Sequence, residues 1–326
     1  MTTTTTTTAP ARRALGQTGL AIAPLVFGGN VFGWTADEAR SFELLDAFVA
    51  AGFNAIDTAD VYSKWVPGHQ GGESETIIGR WLQARPGRRQ QVLIFTKAGA
   101  DLGADRKGLS QRWIERAVED SLRRLNTDVI DLYQSHWPDP GTPHEESLAA
   151  YERLLKAGKV RAIGCSNFSA EQLAASLKAA RAQGLPTYQT LQPEYNLYDR
   201  ASYDGPLRDL AIRENIGVIT YYSLASGFLS GKYRSEADLK QSPRGRGVAK
   251  YLTPRGLRIL DALDGVAGRL EAKPAEVALA WLMQRAGVTA PIASATSLEQ
   301  LKSFARAASL SLRPEDVQAL DTASAP

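Results

Sequence analysis

Short apolar runs that alternate with amphipathic helical patterns extend over most of this 326-residue chain. The eight runs begin near Ile22, Asn54, Val92, Val129, Ala162, Tyr188, Gly217 and Ala290. The helical patterns between them cover residues 36–51, 74–83, 110–125, 144–157, 169–182, 205–214, 274–285 and 297–308. Because the runs are apolar throughout, they are typical of strands covered by helices on their outer face. Eight such units without a linker predict an α/β protein with a closed (β/α)8 TIM barrel.

A doubly wound open sheet is the competing architecture, since it also alternates strands and helices. That fold would carry a Gly-x-Gly-x-x-Gly fingerprint for a dinucleotide after its first strand. The corresponding stretch here is Phe27-Gly28-Gly29-Asn30, which does not match. The barrel is therefore the better prediction.

The start of the chain differs from the repeating part. Residues 12–20 contain Gly16-Gln17-Thr18-Gly19 between short apolar pieces, which predicts a short N-terminal β-hairpin. The threonine-rich stretch before it lacks the basic and apolar regions of a secretory signal. We therefore expect a disordered tail over residues 1–11, a single domain over residues 12–326, and a cytoplasmic location.

Composition argues against several classes of function. A net charge of +3 with a pI near 8.9 is too mild to indicate nucleic-acid binding. No run approaches the roughly 18 apolar residues of a membrane span. The single cysteine, Cys165, permits no internal disulfide and no multi-thiolate metal site, and its place inside a strand pattern indicates a buried residue.

Four chemically active residues follow strand-like runs: Asp57, Tyr62, Lys97 and His136. Polar groups at the carboxyl ends of parallel barrel strands are typical of a catalytic face. An ammonium beside a phenol changes the proton affinity of the phenol, and Asp57 is the natural partner for the Lys97 charge. The alternative interpretations remain a helix cap for Asp57 and a structural role for His136.

Other chemistries have weaker support. A metal site at strand ends needs several carboxylate or imidazole ligands, and here His136 and Asp57 are the only good candidates, beside a repelling Lys97. We therefore expect no metal, and a metal-dependent barrel hydrolase is a distant alternative. A serine hydrolase is not indicated either, because the chain has no Gly-x-Ser-x-Gly elbow.

Two segments exceed ordinary loop length. Residues 63–72 follow Tyr62 directly and predict a glycine-rich flap. Residues 231–256 carry seven basic and two acidic side chains: Lys232, Arg234, Lys240, Arg244, Arg246, Lys250 and Arg255 against Glu236 and Asp238. This second segment is interpreted as a lid that closes over phosphate, with a solvated surface loop as the alternative.

Seven motifs, in order along the chain, resemble those of the aldo-keto reductases. They are Gly28, Asp57-Thr58-Ala59-Asp60-Val61-Tyr62, Lys97 after Thr96, His136, Gly164-Cys165-Ser166-Asn167, Gln192-Pro193-Glu194-Tyr195-Asn196 and Ser226-Gly227-Phe228-Leu229-Ser230-Gly231-Lys232. The resemblance runs from about residue 15 to residue 310. It implies NAD(P)H-dependent reduction of a small carbonyl substrate on a (β/α)8 barrel, without metal. In that case Tyr62 is the general acid, Lys97 with Asp57 lowers its pKa, and His136 orients the carbonyl.

The resemblance also implies where the cofactor binds. Ser166, Asn167 and Gln192 match residues that hold the nicotinamide carboxamide. Tyr222 matches the aromatic that stacks on the nicotinamide, with its neighbour Tyr221 as the alternative. The stretch around the pyrophosphate corresponds to Ser223, Leu224, Leu229, Ser230, Gly231 and Lys232.

The adenine end departs from the family pattern. Ser294 and Gln300, with Thr296 between them, stand where many relatives carry lysine and arginine for a 2′-phosphate. A helix N-terminus with hydroxyl groups can still receive phosphate, so NADPH is the first expectation and NADH the alternative.

Two expectations concern the substrate and the function. The aromatic residues Phe32, Trp34, Trp65 and Trp137 are expected to line a pocket for an apolar aldehyde or ketone. The alternative function is that of a nucleotide-binding regulatory subunit with little turnover.

Overall fold

A computed structural model of the chain describes residues 9–242 and 245–325. Residues 1–8 of the predicted tail lie outside this part. The predicted hairpin comes first: strands β1 (Arg13–Ala14) and β2 (Ala21–Ile22) pair antiparallel across the glycine-containing turn.

Eight parallel strands follow and close into a barrel. They are β3 (Val26–Gly28), β4 (Ala55–Asp57), β5 (Leu93–Ala98), β6 (Ile130–Ser135), β7 (Val160–Ser166), β8 (Thr190–Gln192), β9 (Gly217–Thr220) and β10 (Ala290–Ala293). Each strand pairs with the next along the chain, and β10 pairs with β3 to complete the ring. The predicted (β/α)8 barrel is confirmed.

The barrel has a core of its own, because alternate side chains of each strand point inward. The inward apolar side chains are Val26, Ala55, Phe95, Leu132, Ala162, Ile219, Ala290 and Ile292. Leu15, Leu20 and Ile22 of the hairpin join this core. Gly16 lies so close to the start of β9 that a Cβ would be 2.3 Å from the Gly217 nitrogen. The hairpin therefore seals the N-terminal end of the barrel and leaves the C-terminal end for the site.

Helices surround the barrel. They are α1 (Glu38–Ala50), α2 (Glu73–Ala84), α3 (Gln111–Leu125), α4 (His144–Lys156), α5 (Ala170–Gln183), α6 (Pro206–Arg213), α7 (Gly245–Val248), α8 (Pro254–Leu270), α9 (Pro274–Met283), α10 (Leu298–Ser309) and α11 (Pro314–Ser324). None of the helices in the described ranges combines the length and apolar character that a bilayer crossing needs.

Helix α3 illustrates how sequence sets these elements. The Ser110 side chain accepts a hydrogen bond from the Trp113 N–H and caps the first turn. Asn126 ends the helix in the left-handed conformation that asparagine tolerates. Between them, buried side chains that include Ile114 and Val118 recur at helical spacing, so one face packs on the barrel.

The structure differs from the sequence prediction at three places. Ile22 belongs to the hairpin, and the first barrel strand begins at Val26. Helices α8 and α11 were not predicted; they pack on one another at the outside of the barrel. The basic segment 231–256 is not a simple loop, because its described part contains 3-10 turns at Glu236–Gln241 and Ala249–Tyr251 and the short α7.

Candidate active site

The carboxyl ends of β4, β5 and β6 bring the predicted polar residues to the open end of the barrel. Asp57 lies two positions after inward-facing Ala55, and Lys97 lies two positions after inward-facing Phe95. The two-residue period of a strand therefore turns both side chains toward the barrel axis. His136 directly follows β6, and its backbone N–H donates to the Ala98 carbonyl of β5 at 2.8 Å.

The Lys97 ammonium is the centre of the group. Its nitrogen donates to Asp57 Oδ2 at 2.7 Å, to the Thr58 carbonyl at 2.8 Å and to the Tyr62 hydroxyl at 3.0 Å. An ammonium has three donors, so this one is fully used. The Lys97 and Asp57 side chains are completely buried. Burial lowers the pKa of Lys97, and the Asp57 carboxylate acts in the opposite direction.

Tyr62, just past β4, holds its proton more strongly than the sequence analysis expected. Its hydroxyl lies 3.0 Å from Lys97 Nζ and 3.4 Å from Asp57 Oδ2. Burial raises the pKa of Tyr62 well above its ordinary value, and the Asp57 carboxylate raises it further. In the protein without ligand, burial and the nearby anion favour the neutral phenol and outweigh the opposing Lys97 charge, whose own lowering effect on this pKa stays a prediction. A phenol that is protonated at neutral pH can serve as an acid.

His136 is a neutral imidazole beside this phenol. Its ring centroid is 6.1 Å from that of Tyr62, and it stacks on Trp137. Burial lowers the pKa of His136 well below its ordinary value, and the Lys97 charge adds to the effect. Nδ1 is buried and has no hydrogen-bond partner among the described residues. A buried ring nitrogen of this kind is suited to meet a polar ligand atom.

The three residues expected at a carboxamide form one hydrogen-bonded group with this site. The Gln192 side-chain amide donates to Asp57 Oδ1 at 2.9 Å. Ser166 Oγ donates to the backbone carbonyl of Gln192 at 2.8 Å. Asn167, in a left-handed conformation with φ of 63°, donates to the His136 carbonyl at 2.9 Å. These residues end β7 and β8, so they lie on the opposite side of the barrel mouth from β4.

Tyr221, rather than Tyr222, is the aromatic that lies beside these amides. The Tyr221 hydroxyl donates to Asn167 Oδ1 at 2.6 Å, and its ring packs on the inner barrel core. It follows inward-facing Ile219 by two residues, so strand periodicity alone turns it inward. Tyr222 has a left-handed φ of 52° and is 51% exposed.

The segment after β9 winds into an unusual turn. Three consecutive residues, Ala225, Ser226 and Gly227, have positive φ values of 48°, 58° and 96°. Two of the three backbone N–H groups of this turn are already used, since Ala225 donates to the Tyr222 carbonyl at 2.7 Å and Gly227 donates to the Leu224 carbonyl at 2.8 Å. Within the predicted stretch, Ser223 and Leu229 are buried, Leu224, Ser230 and Gly231 are partly exposed, and Lys232 is exposed.

The predicted lid residues make mostly structural contacts. Arg234 pairs with Asp264 at 2.8 Å, and Arg255 donates to the carbonyls of Tyr198 and Ser324. Arg244 lies outside the described residues. The described part of the segment is therefore anchored to the barrel's outer helices by these two arginines.

The polar side chains expected at the adenine end make hydrogen bonds within the protein. Ser294 Oγ donates to Asn30 Oδ1 at 2.6 Å, across the seam between β10 and β3. The Gln300 side-chain carbonyl accepts from the Thr296 N–H at 2.8 Å. Glu299 lies exposed in the first turn of α10 and pairs with Lys273 at 2.8 Å.

Exposed aromatic side chains contact Tyr62 and His136. Trp65 of the 63–72 segment contacts the ring of Tyr62 and packs edge-on against Trp34. Trp65 is 47% exposed, and Trp137, which stacks on His136, is 50% exposed. The prediction for Phe32 is wrong: its ring is fully buried and stacks on Phe27 in the core.

The donor set fits a nicotinamide cofactor better than a metal. Within the part of the chain that the structure describes, no group of three or more His, Cys, Asp or Glu side chains could hold a metal ion. The amide group of Ser166, Asn167 and Gln192 and the inward ring of Tyr221 instead supply partners for an amide and a flat ring.

Comparison with known proteins identifies the family of this chain. The model of the aldo/keto reductase family matches residues 24–325. An uncharacterized oxidoreductase YrpG of Bacillus subtilis (strain 168) is 34% identical over 317 residues, which cover 94% of each chain. Aldo-keto reductase YhdN of the same organism is 34% identical over 301 residues, 90% of this chain and 86% of that protein. The chain belongs to the aldo/keto reductase family.

A third relative has a different printed role. A probable voltage-gated potassium channel subunit beta of Oryza sativa subsp. japonica is 32% identical over 294 residues, which cover 88% of each chain. The family thus includes both oxidoreductases and a protein named as a channel subunit at similar identity to this chain.

Proposed function

We propose that this protein reduces aldehydes and ketones to alcohols with NADPH, and that Tyr62 supplies the proton. The observation that carries the proposal is the buried Lys97 ammonium, whose three donors are used by Asp57, the Thr58 carbonyl and Tyr62. Such an arrangement fixes the phenol oxygen, and the phenol proton makes only a long contact of 3.4 Å with Asp57 Oδ2, which a carbonyl ligand can replace. The family match supports oxidoreduction of a carbonyl.

The roles follow from the geometry. When bound, the reduced nicotinamide supplies a hydride to the carbonyl carbon. Tyr62 gives its proton to the carbonyl oxygen, and the phenolate left behind lies 3.0 Å from the Lys97 ammonium. The cation stabilises that phenolate, so Lys97 acts on the transition state, while burial and Asp57 keep Tyr62 protonated before the reaction. His136, being neutral, donates a hydrogen bond to the carbonyl oxygen and orients it.

The cofactor roles are proposed for residues already joined to the catalytic group. Ser166, Asn167 and Gln192 hold the carboxamide, and Tyr221 stacks on the nicotinamide ring. Because Gln192 also donates to Asp57 at 2.9 Å, the same side chain contacts the proposed carboxamide site and the Asp57–Lys97 ion pair. The segment after β9, with the exposed Lys232, receives the pyrophosphate.

NADPH remains the first choice at the adenine end, and NADH is the alternative. The hydroxyl of Thr296 and the N-terminus of α10 favour a phosphate. Glu299 in the same turn works against one, because an acidic side chain there repels a phosphate and can accept from a ribose hydroxyl. Binding measured with both cofactors decides between them.

The substrate is proposed to be an aldehyde or ketone with a flat apolar body. The exposed ring of Trp65 contacts Tyr62, the exposed ring of Trp137 stacks on His136, and Trp34 packs against Trp65. A flat aromatic carbonyl would bury its faces against these rings.

A nucleotide-binding regulatory subunit is the second candidate function, favoured by the relative named as a potassium channel subunit beta. Measuring carbonyl reduction distinguishes the enzyme from the regulatory subunit. Purified protein is titrated with NADPH and NADH by fluorescence quenching, and reduced-cofactor oxidation is then followed with nitrobenzaldehyde and a broad carbonyl panel. Reduction supports the enzyme; tight binding without reduction of any carbonyl supports the regulatory subunit. Activity that a chelator removes would contradict both.

A further inference from the structure

Asp60 is a buried acid that the proposed mechanism does not use. It lies between Asp57 and Tyr62 in the segment that leaves β4, and its backbone N–H donates to the Lys97 carbonyl at 3.1 Å. The side chain is 1% exposed. Neither carboxyl oxygen has a hydrogen-bond partner among the described residues.

The neighbouring ion pair leaves no cation for Asp60. Glu75 of α2 is fully buried, accepts from Arg124 Nε at 2.7 Å and accepts from the Thr96 hydroxyl at 2.5 Å. The Lys97 donors are used by other oxygens, as described above. Two acids therefore share the surroundings of one arginine, and only Glu75 makes the direct contact.

An ionised carboxylate cannot remain in such a place at neutral pH without large cost, because burial without hydrogen bonds penalises the charge. The charged and titratable groups around Asp60 include Glu75 from α2, Arg124 from α3, Lys97 from β5, Tyr133 from β6 and Tyr151 from α4. Burial raises the pKa of Asp60 well above its ordinary value and Glu75 raises it further; Arg124, Lys97 and the Val61 N–H oppose this without reversing it.

We propose that Asp60 is a positioning residue that stays protonated in the folded protein, so that the Lys97 ammonium remains shared between Asp57 and Tyr62. If Asp60 ionised, a third anion would compete for Lys97 and would face the phenolate that Tyr62 forms on giving up its proton. Loss of the Asp60 proton in alkaline solution therefore lowers turnover. This role rests on the proposed function, since it acts through Lys97 and Tyr62.

Protonation is tested directly by an infrared difference spectrum between the wild-type protein and Asp60→Asn, which needs neither cofactor nor turnover. The expected result at neutral pH is the carbonyl stretch of a protonated carboxylic acid that is present in the wild type, is absent in the variant and disappears as the pH is raised. Absence of that band overturns the proposal.

The positioning role is tested by the alkaline limb of the kcat profile, with each variant normalised to its own value at neutral pH. In Asp60→Asn the limb is expected to move to higher pH, with at least about threefold more of the neutral activity kept in alkaline buffer. Glu75→Gln frees Arg124 to pair with Asp60, which favours the ionised acid, so the alkaline limb of this variant moves to lower pH. In the double variant Glu75→Gln/Asp60→Asn the limb returns to higher pH. An Asp60→Asn limb that stays at the wild-type pH overturns the positioning role.

The two proposals fail differently. A wild type that reduces no carbonyl contradicts the proposed function and with it the positioning role. A wild type that turns over normally while its spectrum lacks the acid band contradicts the inference about Asp60 alone.

Discussion

Replacing Lys97 by methionine removes the ammonium while keeping a long apolar stem, and it tests both stability and chemistry. Lys97 lies 3.0 Å from the Tyr62 oxygen; with an effective dielectric constant of about 20, unit charges at that distance interact by about 5.5 kcal/mol. Since about 1.36 kcal/mol corresponds to a tenfold change in rate, loss of this stabilisation lowers kcat by up to about ten-thousandfold. The assay is oxidation of reduced nicotinamide in the presence of a carbonyl substrate.

The same change leaves Asp57 buried with Gln192 at 2.9 Å and the Tyr62 hydroxyl at 3.4 Å as its remaining side-chain donors. Breaking a buried ion pair from one side typically costs about 3–5 kcal/mol, whereas replacing both partners is often nearly neutral. Urea unfolding followed by fluorescence of the chain's tryptophans measures this cost. The control is the double variant Asp57→Asn/Lys97→Met, which should recover most of the stability and none of the activity. A single variant as stable as the wild type, or within tenfold of its kcat, would refute the reasoning.

Three further predictions follow from the same contacts. Because His136 has a folded pKa below that of the unfolded chain, its stabilising contribution is present above about pH 6.5 and is lost as the pH falls below it. His136→Gln should therefore show a smaller loss of Tm between about pH 7 and pH 5 than the wild type, and equal losses would contradict its neutral state. At Gly79 a Cβ would lie 2.1 Å from the Arg124 carbonyl oxygen, so Gly79→Ala should cost about 1–3 kcal/mol in urea unfolding. The matched Gly265→Ala in α8, where a Cβ meets nothing within 4 Å, should instead stabilise the protein by about 0.5–1 kcal/mol. If both variants were destabilised, the close contact at Gly79 would not be the cause of the Gly79→Ala effect. Glu299→Gln should tighten NADPH binding by about two- to fivefold and leave NADH binding nearly unchanged in fluorescence titrations, since an exposed anion acts only modestly on a nearby phosphate; an equal change for both cofactors would place Glu299 away from the 2′ position.

Much of the fold followed from the sequence because each barrel strand is a separate apolar run with a helix after it. The boundary at Ile22 was misread because an apolar residue can extend a hairpin as well as a barrel strand. Helix α8 does carry a helical pattern, with Ile259, Leu263 and Val266 buried on one face, but its start overlaps the basic segment. Tertiary packing, rather than local pattern, separates these elements.

The candidate site was recognisable in its residue types and less so in its electrostatics. Asp57, Lys97 and His136 lie at the ends of strands, and the two-residue alternation of each strand can be counted from the sequence. The same two-residue period, counted from Ile219, turns Tyr221 inward, and which of Tyr221 and Tyr222 stacks on the nicotinamide stays a prediction. Phe32 was misplaced because an aromatic ring in a loop carries no sign of whether it faces the pocket or the core.

The direction of the Tyr62 pKa could not be read from the chain. Sequence shows that an ammonium and a phenol come together, but burial and the Asp57 carboxylate determine which protonation state is favoured. The protonation state of Asp60 could not be predicted from the sequence either, because only the folded structure shows that Arg124 pairs with Glu75.

The most direct test of the account is the turnover of Tyr62→Phe compared with the wild type, with NADPH affinity measured on both proteins. The substitution removes only the hydroxyl, so the ring and its contacts with Trp65 and His136 are kept. The account predicts wild-type reduction of nitrobenzaldehyde, loss of at least about a hundredfold in kcat in the variant, and an unchanged Kd for NADPH. Normal turnover by Tyr62→Phe would contradict the central claim.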